Sequence, residues 1–244
     1  MKKNLLALAF LVGLLTCCKS EDAPIKPVKP TDPGSINKEY MSRAETTFAN
    51  IFKYYWSDKV RMMFGSYPNT LGTPQEPSSP DYDSHAYLWG LGSVVSAFNA
   101  IVQNTDNVDF RMTYESRLKE TLLKYYNTTK EPMCFGCFVN PHDQRLYDDA
   151  IWVGIDLADL YSKTKDSWYL DYAKSVWNFV LSGKDDELGG GVYWDENAKD
   201  SKNTCSNAPA VVLALKLYQI TNDAAYLENG KDIYKWTKSK LQDP

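Results

Sequence analysis

Tyr147-Asp148-Asp149-Ala150-Ile151-Trp152-Val153-Gly154-Ile155-Asp156-Leu157-Ala158-Asp159-Leu160 is the stretch that decides the fold of this 244-residue chain. At about 100° per residue, Ile151, Trp152, Val153, Ile155, Leu157 and Leu160 point to all sides of a helix predicted over about 148–163. A helix that is apolar all round is buried all round. The next helix, about 167–182, is one-sided, with Ala173, Val176, Trp177 and Val180 facing in.

The same contrast recurs on both sides. About 84–104 is apolar nearly all round (Ala86, Leu88, Trp89, Leu91, Val94, Val95, Phe98), and so is the run Ala208 to Leu215 within about 207–220, with Pro209 placed in its first turn. About 110–126 sets Tyr114, Leu118, Leu122 and Tyr125 against Arg117, Lys119, Glu120 and Lys124. About 37–56 (Tyr40, Ala44, Phe48, Phe52, Tyr55) and about 223–241 are one-sided too. Inner and outer helices in strict alternation predict an all-α fold, an α/α toroid.

An internal repeat supports this. Tyr161-x-x-Thr164-x-Asp166-x-x-Tyr169-Leu170 returns as Tyr218-x-x-Thr221-x-Asp223-x-x-Tyr226-Leu227, an offset of 57 residues, with Asp106 marking a degenerate earlier copy. Repeats of this size signal helical arrays. An open superhelix of the tetratricopeptide kind is the competing arrangement, but it uses shorter repeats and tight loops. Here the stretches 64–83, 127–147 and 183–206 are long and each leads from an outer helix to the next inner one. They emerge at one end of the ring, the expected functional face.

Composition narrows the classes. A net charge of -4, with no basic block after the first residues, argues against a nucleic-acid partner. Two histidines and five cysteines are too few for a multi-metal protein, and neither metal nor cofactor is assigned. Cys134-x-x-Cys137 lacks a second ligand pair, so a local disulfide, or one from either cysteine to Cys205, is the alternative. His142-Asp143 and His85 read as surface and structural residues. The 17 Tyr and 7 Trp are suited to stacking on sugars, although aromatic residues more often build cores.

The first 18 residues read as an address: basic Lys2-Lys3, an apolar run from Leu5 to Leu15, then Leu15-Thr16-Cys17-Cys18. This resembles a bacterial lipobox with Cys18 lipidated, Cys17 being the alternative. Lys19-Ser20-Glu21-Asp22 resembles the acidic export signal of Bacteroidetes surface lipoproteins. Residues 19–35, with prolines at 24, 27, 30 and 33, read as an extended tether, and 36–244 as the globular domain. The expected location is the outer membrane, held by a lipid anchor.

Chemistry concentrates at Tyr147-Asp148-Asp149. One carboxylate in a first turn ordinarily caps the helix. Two in succession point about 100° apart and cannot be the same cap. Close carboxylates in an apolar setting split their pKa values, leaving one protonated and one ionised. Glycoside hydrolysis needs that division of labour.

Tyr147-Asp148-Asp149-Ala150-x-Trp152, then Gly189-Gly190-Gly191-Val192-Tyr193-Trp194-Asp195, then Lys202-Asn203-Thr204 with Asn207, resembles glycoside hydrolase family 76. The likeness runs from about 40 to 241, and the Leu88-Trp89 helix resembles the family's early helix. It implies an (α/α)6 barrel and endo-acting, retaining hydrolysis of α-1,6-mannan by a monomer. Matched by motif, Asp148 is the nucleophile and Asp149 the general acid/base. Trp194 and Tyr193 are candidates for stacking on mannose, the Gly triplet for close backbone approach, and Asp195, Asn203, Asn207 and Tyr147 for polar contacts. Trp152 stands between core and subsite, and Trp89 reads first as core. Only about seven of the barrel's twelve helices are present, so the chain reads as the N-terminal part of a longer domain. A glycan-binding lipoprotein on this scaffold, a helical scaffold for protein partners, and a hydrolase of another polysaccharide are the competing readings.

Overall fold

A computed structural model describes residues 33–68, 85–139 and 144–243. The signal segment with Cys17 and Cys18, most of the tether, and His142-Asp143 lie outside the described residues. The chain divides into two units, Met1–Glu39 and Tyr40–Pro244. Of the first, only the opening of a helix, from Pro33, is described.

That helix, α1, spans Pro33–Tyr55. It begins inside the stretch expected to be tether, because a proline is tolerated at a first helical position. The others are α2 (Leu88–Asn104), α3 (Val108–Tyr125), α4 (Tyr147–Thr164), α5 (Ser167–Ser182), α6 (Thr204–Thr221) and α7 (Ala224–Leu241). Seven helices among the described residues thus fall close to the periodicity reading. None of these is long and apolar enough to cross a membrane.

Two boundaries differ for identifiable reasons. α2 starts late because its approach is extended: His85 pairs with Phe64, Ala86 N–H donates to Met63 C=O at 3.0 Å, and Leu88 N–H donates to Cys137 C=O at 2.9 Å. α6 starts early, so Pro209 lies in the second turn rather than the first. There it cannot return a hydrogen bond to the Cys205 carbonyl.

The alternation holds within Tyr40–Pro244. α4 packs on α2, α5 and α6, while α7 packs on α6. The aromatic side chains Phe48 and Phe52 of α1 meet Tyr114 of α3 at 5.1 and 4.6 Å between ring centroids. One continuous apolar core runs from Phe48 to Ile233. α4 is buried nearly all round, as its sequence required. The other inner helices are not: α2 leaves Trp89, Ser93 and Gln103 open, and α6 leaves Cys205, Val212 and Leu215 open.

The 57-residue repeat is a helix–helix joint. At Thr164-Lys165-Asp166, Lys165 turns left-handed and Asp166 accepts from Trp168 N–H at 3.0 Å. At Thr221-Asn222-Asp223, Asn222 turns the same way and Asp223 accepts from Ala225 N–H at 2.9 Å. The earlier copy is Thr105-Asp106-Asn107, in which Asn107 rather than Asp106 is the cap, accepting from Phe110 N–H at 3.0 Å. Small antiparallel pairings also follow the outer helices: β1 (Trp56–Ser57) with β2 (Met62–Met63), β3 (Tyr126–Asn127) with β4 (Cys134–Phe135), and a bridge from Lys184 to Val192.

Gly154 lets α4, α5 and α6 meet. A Cβ there would stand 2.9 Å from Val176 Cγ1 and 3.1 Å from Leu213 Cδ2. Alanine is the better helix former by about 1 kcal/mol. Overpacking costs about 1–3 kcal/mol, so packing decides. Gly154→Ala is expected to lower the urea unfolding midpoint, and a raised midpoint would mean the helices yield without strain.

Candidate active site

The helix that carries the Asp pair begins without a side-chain cap, since its N-cap is Leu146. A strand-like pairing takes over. Leu146 bridges Asp195, Tyr147 N–H donates to Trp194 C=O at 3.0 Å, and Trp194 N–H donates to Ser201 C=O at 3.0 Å. Tyr147 is buried, with its ring stacked on Phe179 at 4.3 Å. The same ring fills the space over Gly183, where a Cβ would stand 2.4 Å from it.

Asp148 and Asp149 are both buried at 9% exposure. The Trp194 indole N–H donates to Asp148 Oδ2 at 3.2 Å, while Asp148 Oδ1 is buried and accepts no hydrogen bond. An indole can only donate, so Trp194 holds that oxygen as an acceptor. Asp149 is pushed up to about 6, first by burial and then by the Asp148 charge, with a hydrogen bond from the Cys137 thiol pulling the other way. Cys137 is itself pushed up to about 12, first by burial and then by the Asp149 charge. Cys205 opens α6, and its thiol is raised by burial and then by Asp148.

Three tryptophan side chains at this end are open to solvent: Trp194 (37%), Trp152 (44%) and Trp89 (55%). Trp89 is therefore not core. It lies on the α2 face that no described element covers.

The other expected contacts do different work. Asn207 is fully buried; its Oδ1 accepts from Val192 N–H at 2.7 Å, and its Nδ2 donates to Val192 C=O at 2.8 Å and Asn203 C=O at 2.9 Å. It replaces a strand partner and has no amide proton left for a sugar. Asp195 turns the chain by accepting from Asn197 N–H at 2.7 Å. Tyr193 is buried, with the Lys202 ammonium 4.4 Å from its ring centroid, so it offers no open stacking face. Asn203 is half-buried at the start of α6. The Gly triplet serves packing: Gly189, Gly190 and Gly191 all have positive φ, and a Cβ on Gly191 would stand 2.4 Å from the Trp236 ring.

Two residues were given no role by the sequence, Arg145 and the Lys202 that opens the Lys-Asn-Thr motif. Arg145 is fully buried; it grips both Glu196 carboxylate oxygens through Nε and Nη2, and its Nη1 donates to Pro132 C=O at 2.6 Å. Buried Lys202 pins the loop before the Gly triplet. The sequence offered only isolated charges. Cys134, Cys137 and Cys205 are free thiols, which sets aside the disulfide readings. Among the described residues no group of three His, Cys, Asp or Glu side chains could hold a metal ion.

The model of Glycosyl hydrolase family 76 matches residues 39–244. A family 76 glycoside hydrolase from a bovine strain of Bacteroides thetaiotaomicron superposes with a TM-score of 0.73 at 31% identity, over 84% of this chain and 43% of its own. A family 76 mannosidase from the same species gives 0.72 at 25% identity, over 84% and 55%. An α-1,6-mannanase from Salegentibacter shares the fold with 0.64 at 24% identity, over 85% and 53%. The chain therefore spans about half the length of these solved structures. No curated protein matches it.

A carboxyl raised to about 6 in the fold, against about 3.8 in an unfolded chain, binds its proton more tightly when folded. Its penalty is absent below about pH 4, grows between about pH 4 and 6, and stays at its full value above that. Asp149→Asn is expected to stabilise the protein by about 1–3 kcal/mol at pH 7.5 and by much less at pH 4. Denaturant unfolding at the two pH values reads this. Equal effects at both would mean that Asp149 is not held against its charge.

Proposed function

This chain belongs to glycosyl hydrolase family 76, and from that premise we propose that it cleaves α-1,6-mannosidic bonds within mannan. The proposed reaction is endo-acting and retaining, with Asp148 as nucleophile and Asp149 as general acid/base. The observation that carries the reading is the contrast between two adjacent buried carboxylates: one kept partly protonated near neutral pH, the other with a bare oxygen and an indole steadying its second.

Protonated Asp149 donates its proton to the glycosidic oxygen as Asp148 attacks the anomeric carbon. The C–O bond breaks, the leaving chain departs as an alcohol, and a glycosyl ester forms on Asp148. Asp149, now a carboxylate, takes a proton from water. That water attacks the same carbon, frees Asp148 and restores the original configuration.

The open faces of Trp194, Trp152 and Trp89 suit stacking on sugar rings on either side of the pair. The named neighbours lend support as proteins in their own right. One is a mannosidase, and the Salegentibacter α-1,6-mannanase was made inactive by replacing two adjacent aspartates and seen with α-1,6-mannotetrose. The residue roles here rest on the geometry of Asp148 and Asp149. A lipid on Cys18 followed by the proline-rich tether would hold the domain outward from the outer membrane.

Product analysis on debranched α-1,6-mannan tests the reading. Wild type should release short manno-oligosaccharides, and Asp148→Asn and Asp149→Asn should each lower the rate by at least about 10²–10⁴-fold while staying folded. The wild-type rate should fall as pH rises above about 6, where Asp149 loses the proton it donates. A folded wild type that binds mannan without cleaving it would replace hydrolysis with glycan binding.

A further inference from the structure

Lys202 has no role in the chemistry proposed above, yet its side chain is fully buried. Its ammonium donates to Asp185 Oδ1 at 2.6 Å, Glu187 C=O at 2.8 Å, Gly190 C=O at 2.9 Å and Asp185 C=O at 3.2 Å. The Tyr193 ring covers it at 4.4 Å. Three main-chain carbonyls and one carboxylate converging on a point is the ligand set of a hard cation. Here the protein supplies that cation itself.

The loop could not close on its own. Leu188, Gly189, Gly190 and Gly191 all have positive φ, between 58° and 118°. The carbonyls of Asp185, Glu187 and Gly190 turn inward, and converging carbonyl dipoles repel unless a positive charge lies between them. Lys202 provides that charge from the far side of the loop. Its neighbour Ser201 accepts the Trp194 N–H at 3.0 Å. The lysine therefore ties the segment before Trp194 to the segment that pairs with it, and the Trp194 indole reaches Asp148.

We infer that Lys202 is a positioning residue for the Asp pair: its ammonium takes the place of a bound cation in the 185–190 loop and thereby sets the Trp194 indole on Asp148. The kinetic half of this rests on the proposed hydrolytic role of the pair; the structural half does not.

The test uses the full chain and two readouts. In an amide NMR spectrum, the Trp194 indole N–H signal, assigned with Trp194→Phe, should shift or broaden in Lys202→Met, while those of Trp56 and Trp168 stay in place. Asp185→Ala, which keeps the lysine and removes one side-chain ligand, should move it in the same direction by less, and serves if Lys202→Met does not fold. On α-1,6-manno-oligosaccharides, Lys202→Met should lower kcat by about ten- to a hundredfold, with a smaller change in KM. In a Trp194→Phe background the same substitution should cost little, because the two act through one contact. An unmoved indole signal, or the full cost retained in that background, overturns the inference. A wild type that cleaves no mannan counts against the proposed activity and leaves the indole signal to decide the role of Lys202.

Discussion

The hydrogen bond from Tyr147 N–H to Trp194 C=O is the contact on which the loop end of this domain depends. A helix begins with backbone N–H groups that lack internal partners, and a side chain usually meets them. At α4 the residue in the capping position is Leu146, which cannot. The returning loop meets the helix instead, pairing with it as a strand would. This relieves Asp148 and Asp149 of the duty that carboxylates in a first turn normally perform. It also fixes the loop at a depth from which the Trp194 side chain reaches Asp148.

Holding that pairing in place takes several buried polar groups, and each is satisfied. Arg145, immediately before the helix, grips Glu196 on the loop and sits 4.7 Å from the centre of the Phe179 ring. Removing one partner of such a buried pair costs about 3–5 kcal/mol. Asn207 holds Val192 from beneath with both ends of its amide. Trp236 fills the hollow under the glycines and donates its indole N–H to Leu188 C=O at 3.0 Å. These supporting groups all find partners, whereas Asp148 keeps one buried oxygen without any.

The helices, and the burial of the Asp pair at the loop-rich end of one of them, were legible in the sequence because both follow from local rules. Apolar positions around Ile151–Leu160 force burial whatever surrounds them. The Thr-x-Asp joints carry their own caps, so even the faint first copy could be found, one residue out. The roles of individual loop residues were not legible. Asn207 and Asp195 looked like sugar ligands because an exposed polar side chain and a buried one are spelled identically. The glycines looked like a place for close substrate approach, yet close approach is to Trp236, 45 residues further along the chain. Trp89 looked like core because its helix is apolar, although the face it occupies is open. In each case the missing information is which distant segment arrives at the residue.

Helix α4 carries its own control for how burial treats its acidic residues. Asp156, two turns below the pair, is as deeply buried, and burial raises its carboxyl too. It differs in its partners: the Ser96 hydroxyl donates to one oxygen, and Asn99 Nδ2 donates to the other at 2.8 Å. Asp159 takes the Lys216 ammonium at 2.5 Å. These donors come from α2 and α6, so Asp156 and Asp159 bind the inner helices together. Asp148 has the same side chain and helix but leaves one buried oxygen bare, and a buried acceptor without a donor costs about 1–3 kcal/mol. Burial alone therefore does not set Asp148 apart from Asp156. What sets it apart is burial with a partner withheld, at the end of the helix where the long loops gather.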